Sequence, residues 1–119
     1  LVSSGPPAEA NGLGAELVAR RPGHDDLRLC AAHPAYTLGR GPACAQLCRF
    51  TSRLISLQHC RVELVDGQLL LTDLSTNGTF VNGTRIPPGA RVPLRHLDEL
   101  ALLPADAPAA DAVVYQVRL

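Results

Sequence analysis

From residue 16 onward, apolar and polar positions along this chain tend to alternate in short runs, and turn residues break the runs apart. The clearest case is the C-terminal segment, where Val113, Tyr115, Val117 and Leu119 alternate with Val114, Gln116 and Arg118. A period of two is the mark of a half-buried strand. Comparable runs predict strands at 16–21, 27–32, 36–40, 46–50, 59–65, 68–73, 79–82, 92–94, 98–103 and 112–119. Asp66-Gly67, between two apolar runs, predicts a two-residue hairpin, because both residue types tolerate positive φ. Pro87-Pro88-Gly89 predicts a second reversal. The stretch 95–103 has some helical periodicity, but Pro93 and Pro104 bracket it too closely for a long helix. The expectation is an all-β fold, a two-sheet antiparallel β-sandwich of about 10–11 short strands. Residues 1–13, rich in Gly, Pro, Ser and Ala, read as a flexible leader, and 14–119 as the folded domain.

Composition narrows the picture. The 119 residues suit one domain and include two Phe, two Tyr and no Trp, so Leu, Val, Ala and Ile must build the core. Formal net charge is zero and all 11 basic residues are arginine. A non-specific nucleic-acid binder needs a positive excess, and 3% aromatic residues leave few stacking platforms, so nucleic acid is disfavoured as a partner. No apolar run reaches 18 residues, so no membrane span is expected. Cys30, Cys44, Cys48 and Cys60 are too irregular for a disulfide scaffold, and the spacing of Cys44 and Cys48 lacks a second ligand pair for zinc. No metal or cofactor is expected, and the compartment reads as reducing and intracellular.

The chemistry concentrates in Asp73-Leu74-Ser75-Thr76-Asn77-Gly78-Thr79-Phe80-Val81-Asn82-Gly83, a short strand held between two Asn-Gly turns. Upstream, Gly39-Arg40 closes one apolar run and Ser56-Leu57-Gln58-His59 opens another. Together the three segments supply one guanidinium, two or three hydroxyls and an Asn. That set suits an oxyanion attached to a peptide backbone, since the planar arginine fork bonds two oxygens at once.

In their order and spacing, Gly39-Arg40, Ser56-x-x-His59, Asp73 with Ser75 to Gly78, and Asn82-Gly83 resemble the forkhead-associated (FHA) family, whose members bind phosphothreonine peptides. The resemblance covers roughly residues 14–119. It implies that Arg40, Ser56 and Thr76 hold the phosphate, and that Asn77 clamps the ligand backbone, with a lesser share for Asn82. Gly39, His59 and Gly78 would shape the site, and Asp73 and Ser75 would stabilise the turn. Leu54 and Leu57 stand out as specificity positions. Relatives often carry a cation where this chain has Leu57, so Arg40 would meet the phosphate as a lone full charge unless Arg53 or Arg61 stands in. An apolar Leu54 hints at an apolar preference at the third residue after the phosphothreonine.

The resulting expectation is a non-enzymatic module. It would recruit its parent protein to a phosphothreonine-containing protein or peptide, in the nucleus, with no small-molecule substrate. The alternative is an FHA scaffold whose phosphate site is weak or vestigial and which serves dimerisation or phosphate-independent docking. A hydrolase built on Ser56 and His59 lacks an orienting acid and an oxyanion hole.

Overall fold

The computed structural model describes residues 14–21, 25–42, 44, 52–108 and 111–119. These form ten strands: β1 (Ala15–Ala19), β2 (Leu27–Leu29), β3 (Ala35–Leu38), β4 (Cys60–Val65), β5 (Gln68–Asp73), β6 (Phe80–Val81), β7 (Thr84–Arg85), β8 (Arg91–Leu94), β9 (Glu99–Ala101) and β10 (Val114–Arg118). They make two sheets, one of six strands in the order β2-β1-β10-β9-β6-β7 and one of four in the order β3-β4-β5-β8. Every pairing is antiparallel. No α-helix occurs among the described residues, and 95–103 forms a turn followed by β9. The predicted strand at 46–50 and the leader at 1–13 lie outside the described residues.

Alternation sets what is buried. In the four-stranded sheet Leu38, Cys60, Val62, Leu69, Leu71 and Leu94 face inward, with Val62 opposite Leu71 and Leu69 opposite Leu94. Leu17, Leu27, Leu29, Leu100, Tyr115 and Val117 answer from the six-stranded sheet. Each fully buried aliphatic side chain contributes roughly 1.5–3 kcal/mol of transfer free energy. Pro93 falls inside β8, which pairs only with β5 and so is an edge strand where a missing N–H costs little.

The turns follow their residues. Asp66 (φ 51°) and Gly67 (φ 77°) join β4 to β5 in the predicted two-residue hairpin, with Val65 opposite Gln68. Gly89 adopts φ 74°, and Ala90 N–H closes on the Pro87 carbonyl at 3.3 Å. The β7 strand was not anticipated. It is two residues long, too short for any pattern to show, and it exists because Asn82-Gly83 folds Thr84 and Arg85 back onto Val81 and Phe80.

By the same alternation the last residue of β5, Asp73, falls on the inward face and is 2% exposed. A carboxylate there needs donors, and the chain immediately supplies them from the loop that follows.

Candidate functional site

Three segments meet where β3 ends, β4 begins and β5 ends: residues 39–41 and 52–59, the two ends of the β3–β4 connection, and 74–79. The first two run alongside each other as an extension of the β3–β4 ladder. His59 N–H donates to the Leu38 carbonyl at 2.7 Å, Arg40 N–H to Ser56 at 3.1 Å and Gly41 N–H to Leu57 at 2.9 Å. Gly39 is required by this approach, since a Cβ there would stand 2.8 Å from the Ser56 carbonyl oxygen. Ile55 is fully buried beneath the loop, and the Cys44 thiol donates to the Leu57 carbonyl at 3.0 Å.

The third segment, the β5–β6 loop, is organised by Asp73. Its Oδ1 accepts from Ser75 N–H at 3.0 Å, from the Ser75 hydroxyl at 2.5 Å and from the Thr79 hydroxyl at 2.8 Å. Burial pushes the Asp73 carboxyl up, but these donors and nearby His59 more than offset it, so it is held below its ordinary value. Ser75 Oγ in turn accepts from Gly78 N–H at 2.7 Å.

His59, fully buried, ties the loops together. Its Nδ1 accepts from Ser56 N–H at 3.1 Å, so Nε2 carries the proton and donates to the Gly78 carbonyl at 2.8 Å. Burial lowers its pKa against the opposing pull of the Gly78 carbonyl and the Asp73 carboxylate, which favours the neutral ring that this tautomer needs. His59 therefore holds the Ser56 backbone, while Ser56 Oγ accepts from Thr76 N–H at 3.1 Å. Both ring nitrogens of His59 are engaged with backbone groups, and neither bonds the Ser56 hydroxyl.

The loops are also bridged by Asn77, whose Nδ2 donates to the Leu54 carbonyl at 3.0 Å. Its Oδ1 and second N–H make no other hydrogen bond among the described residues. Arg40, exposed, donates through Nε to the Ile55 carbonyl, and its terminal nitrogens make no hydrogen bond among the described residues. Thr76 is exposed, and Leu54 and Leu57 are 44% and 58% exposed. The structure thus brings together Arg40, Ser56, Thr76, Asn77, Leu54 and Leu57 on two interlocked loops.

Asn82 lies apart from this set. At φ 51° it occupies the β6–β7 turn, with Nδ2 donating to Asp98 Oδ1 at 2.9 Å and Oδ1 accepting from Glu99 N–H at 2.9 Å. Through these two bonds the amide ties the β6–β7 turn to the turn between β8 and β9. Arg61 is likewise committed, to Thr37 Oγ1 at 3.3 Å and Glu63 at 3.6 Å. Arg53 is exposed in the turn before Ile55.

Sequence reasoning missed Arg85. A Cβ on Gly78 would stand 2.7 Å from Arg85 Nε and 3.1 Å from its Cζ, so this guanidinium rests against the backbone of the Thr76–Gly78 loop. The signal existed, because a two-residue Asn-Gly turn returns the second residue after it to a position opposite Phe80.

No group of three or more His, Cys, Asp or Glu side chains that could hold a metal occurs among the described residues. The two-sheet sandwich thus presents a guanidinium, two hydroxyls and an amide on cross-linked loops. The FHA domain model matches residues 36–102, and the chain belongs to that family. It is 41% identical over 68 residues to the serine/threonine-protein kinase RAD53 of Saccharomyces cerevisiae, a match covering 56% of this chain and 8% of that kinase. The N-terminal FHA domain of S. cerevisiae Rad53p, in complex with a phosphothreonine peptide, superposes with a TM-score of 0.75 at 24% identity, covering 88% of this chain and 92% of that one. The FHA domain of human APLF, in complex with an XRCC1 bisphospho peptide, gives 0.67 at 25% identity, covering 89% and 98%.

Proposed function

We propose that this domain binds phosphothreonine-containing peptides through Arg40, Ser56, Thr76 and Asn77, and so recruits its parent protein to kinase-marked partners. The observation that carries the reading is the double tie between loops, Thr76 N–H to Ser56 Oγ and Asn77 Nδ2 to the Leu54 carbonyl. It presets the polar groups before a ligand arrives, which lowers the ordering cost of binding. The Ser56 hydroxyl, already accepting from Thr76, keeps its own proton to donate to a phosphate oxygen. The Arg40 terminal nitrogens supply the paired donors a phosphate prefers. Gly39, His59 and Gly78 hold the frame and touch no ligand in this reading. Leu54 and Leu57 offer apolar contacts beside the phosphate, with Leu54 facing the third residue after the phosphothreonine. Family membership motivates a nuclear setting, which imaging of the tagged parent protein checks.

Leu57 sustains a second reading. A 58% exposed leucine where relatives often have a cation fits a scaffold with a weak phosphate site that docks through apolar surface. One experiment decides between them: an array of peptides carrying phosphothreonine, phosphoserine or plain threonine, probed with the parent and Arg40→Ala. Selective phosphothreonine binding is expected, with the mutant losing about 2 kcal/mol or more while keeping its melting temperature. Equal binding by the mutant, or no phosphate dependence, would favour the scaffold.

A further inference from the structure

Arg85 sits in an unusual position for a surface arginine. It is exposed, and among the described residues its side chain makes no hydrogen bond or ion pair. The ion pairs of the described residues lie elsewhere, where Arg61 and Arg91 both reach Glu63. Its Nε, Cδ and Cζ lie 2.7, 3.0 and 3.1 Å from the position a Cβ on Gly78 would take, so the guanidinium packs over that residue. The Gly78 carbonyl accepts from His59, and the position a Gly78 Cβ would take is filled by the Arg85 guanidinium. Gly78 directly follows Thr76 and Asn77 in the chain.

A guanidinium already packed on a rigid loop loses less side-chain freedom on meeting an anion than a free arginine does. It also lies beside the loop that carries Asn77, the residue assigned to the ligand backbone. The phosphate itself is served by Arg40, which β3 and the 52–59 loop hold in place. The two cations thus sit on different elements, Arg40 just after β3 and Arg85 in β7.

We propose that Arg85 is a second cationic contact of this site, selecting ligands in which the phosphothreonine is flanked by another anionic side chain, an Asp, a Glu or a second phosphate. The inference rests on the phosphothreonine reading above. It explains how a site with Leu57 in place of a cation gains charge complementarity: the second charge comes from β7 and meets a flanking residue.

The test is a thermodynamic cycle. A phosphothreonine peptide with neutral flanks is compared with a set in which a single Asp is moved through the four positions on each side, titrated against the parent chain, Arg85→Gln and Arg85→Lys. Asp at one or two neighbouring positions is expected to tighten binding to the parent about 3- to 10-fold, less at high salt. The ratio of Asp to neutral affinity should fall to about one in Arg85→Gln and stay intermediate in Arg85→Lys, which keeps the charge but not the planar fork. Because the readout is a ratio within each variant, a general change in affinity does not affect it. No gain from Asp at any position, or a gain that survives Arg85→Gln, would overturn the assignment while leaving the phosphothreonine reading intact. Failure of the parent to bind any phosphopeptide of the set, neutral-flanked or Asp-flanked, would overturn both.

Discussion

The dipeptide Asn-Gly occurs twice, at 77–78 and 82–83, and the two copies do different work. At 82–83 both residues take positive φ, 51° and 83°, in a two-residue turn from β6 to β7. The Asn82 amide then reaches Asp98 and the Glu99 N–H, pinning one turn to another. At 77–78 only Gly78 takes positive φ, 105°. The Asn77 amide crosses to the Leu54 carbonyl on the loop that also carries Ser56. One copy supports the scaffold, and the other joins the two loops assigned to the ligand. A turn dipeptide therefore announces a backbone conformation, and what its side chain does depends on what the fold brings within reach.

Alanine at the glycines should separate the copies most strongly. Gly78→Ala places a Cβ at a φ that L-residues rarely adopt and against Arg85, so calorimetry should show a loss of about 2–3 kcal/mol. Gly83→Ala meets nothing within 4 Å and carries only the cost of positive φ, about 1 kcal/mol. Equal losses would mean that the Arg85 packing is dispensable. The asparagines come next. Asn82→Ala removes two hydrogen bonds and strains the turn, so denaturant unfolding should show about 2 kcal/mol lost, with phosphopeptide affinity of the folded fraction retained. Asn77→Ala should reverse that balance, with about 0.5–1 kcal/mol of stability lost but about 1–2 kcal/mol of binding.

The smallest effect expected is pH dependence. Burial lowers the His59 pKa from its ordinary 6.5, so above that pH the ring is neutral in folded and unfolded chains alike. Below it the unfolded chain takes up its proton first, and stability should fall as pH drops from about 6.5 through the lower folded value. Asp73, also lowered, adds a second loss further down, as pH falls from 3.8 through its folded value. Melting temperatures between pH 8 and 5 should decline in the parent and decline less in His59→Gln. A parallel decline in both would remove His59 as the cause.

Much of the fold was legible because local chemistry and global arrangement agree in it. Asp66-Gly67 between two apolar runs can hardly avoid a hairpin, and the alternation of Val113, Tyr115 and Val117 reappears as burial. What stayed hidden depends on separation in sequence. The partners of Asn82 lie sixteen and seventeen residues away across a different turn. A hairpin-turn asparagine and a ligand-facing one look alike until those partners are known. Arg85 stayed hidden because β7 is two residues long and its contact is with a glycine, which leaves no pattern of side chains to read.

The most direct test of the account follows backbone and side-chain amide signals by NMR while a phosphothreonine peptide is titrated in. Signals of Ser56, Thr76 and Asn77 and the Arg40 Nε–H should move in step with peptide, those of Asn82, Gly83 and Glu99 should stay in place, and the same peptide with plain threonine should move none of them. Shifts centred on the β6–β7 turn, or equal shifts with the unphosphorylated peptide, would contradict it.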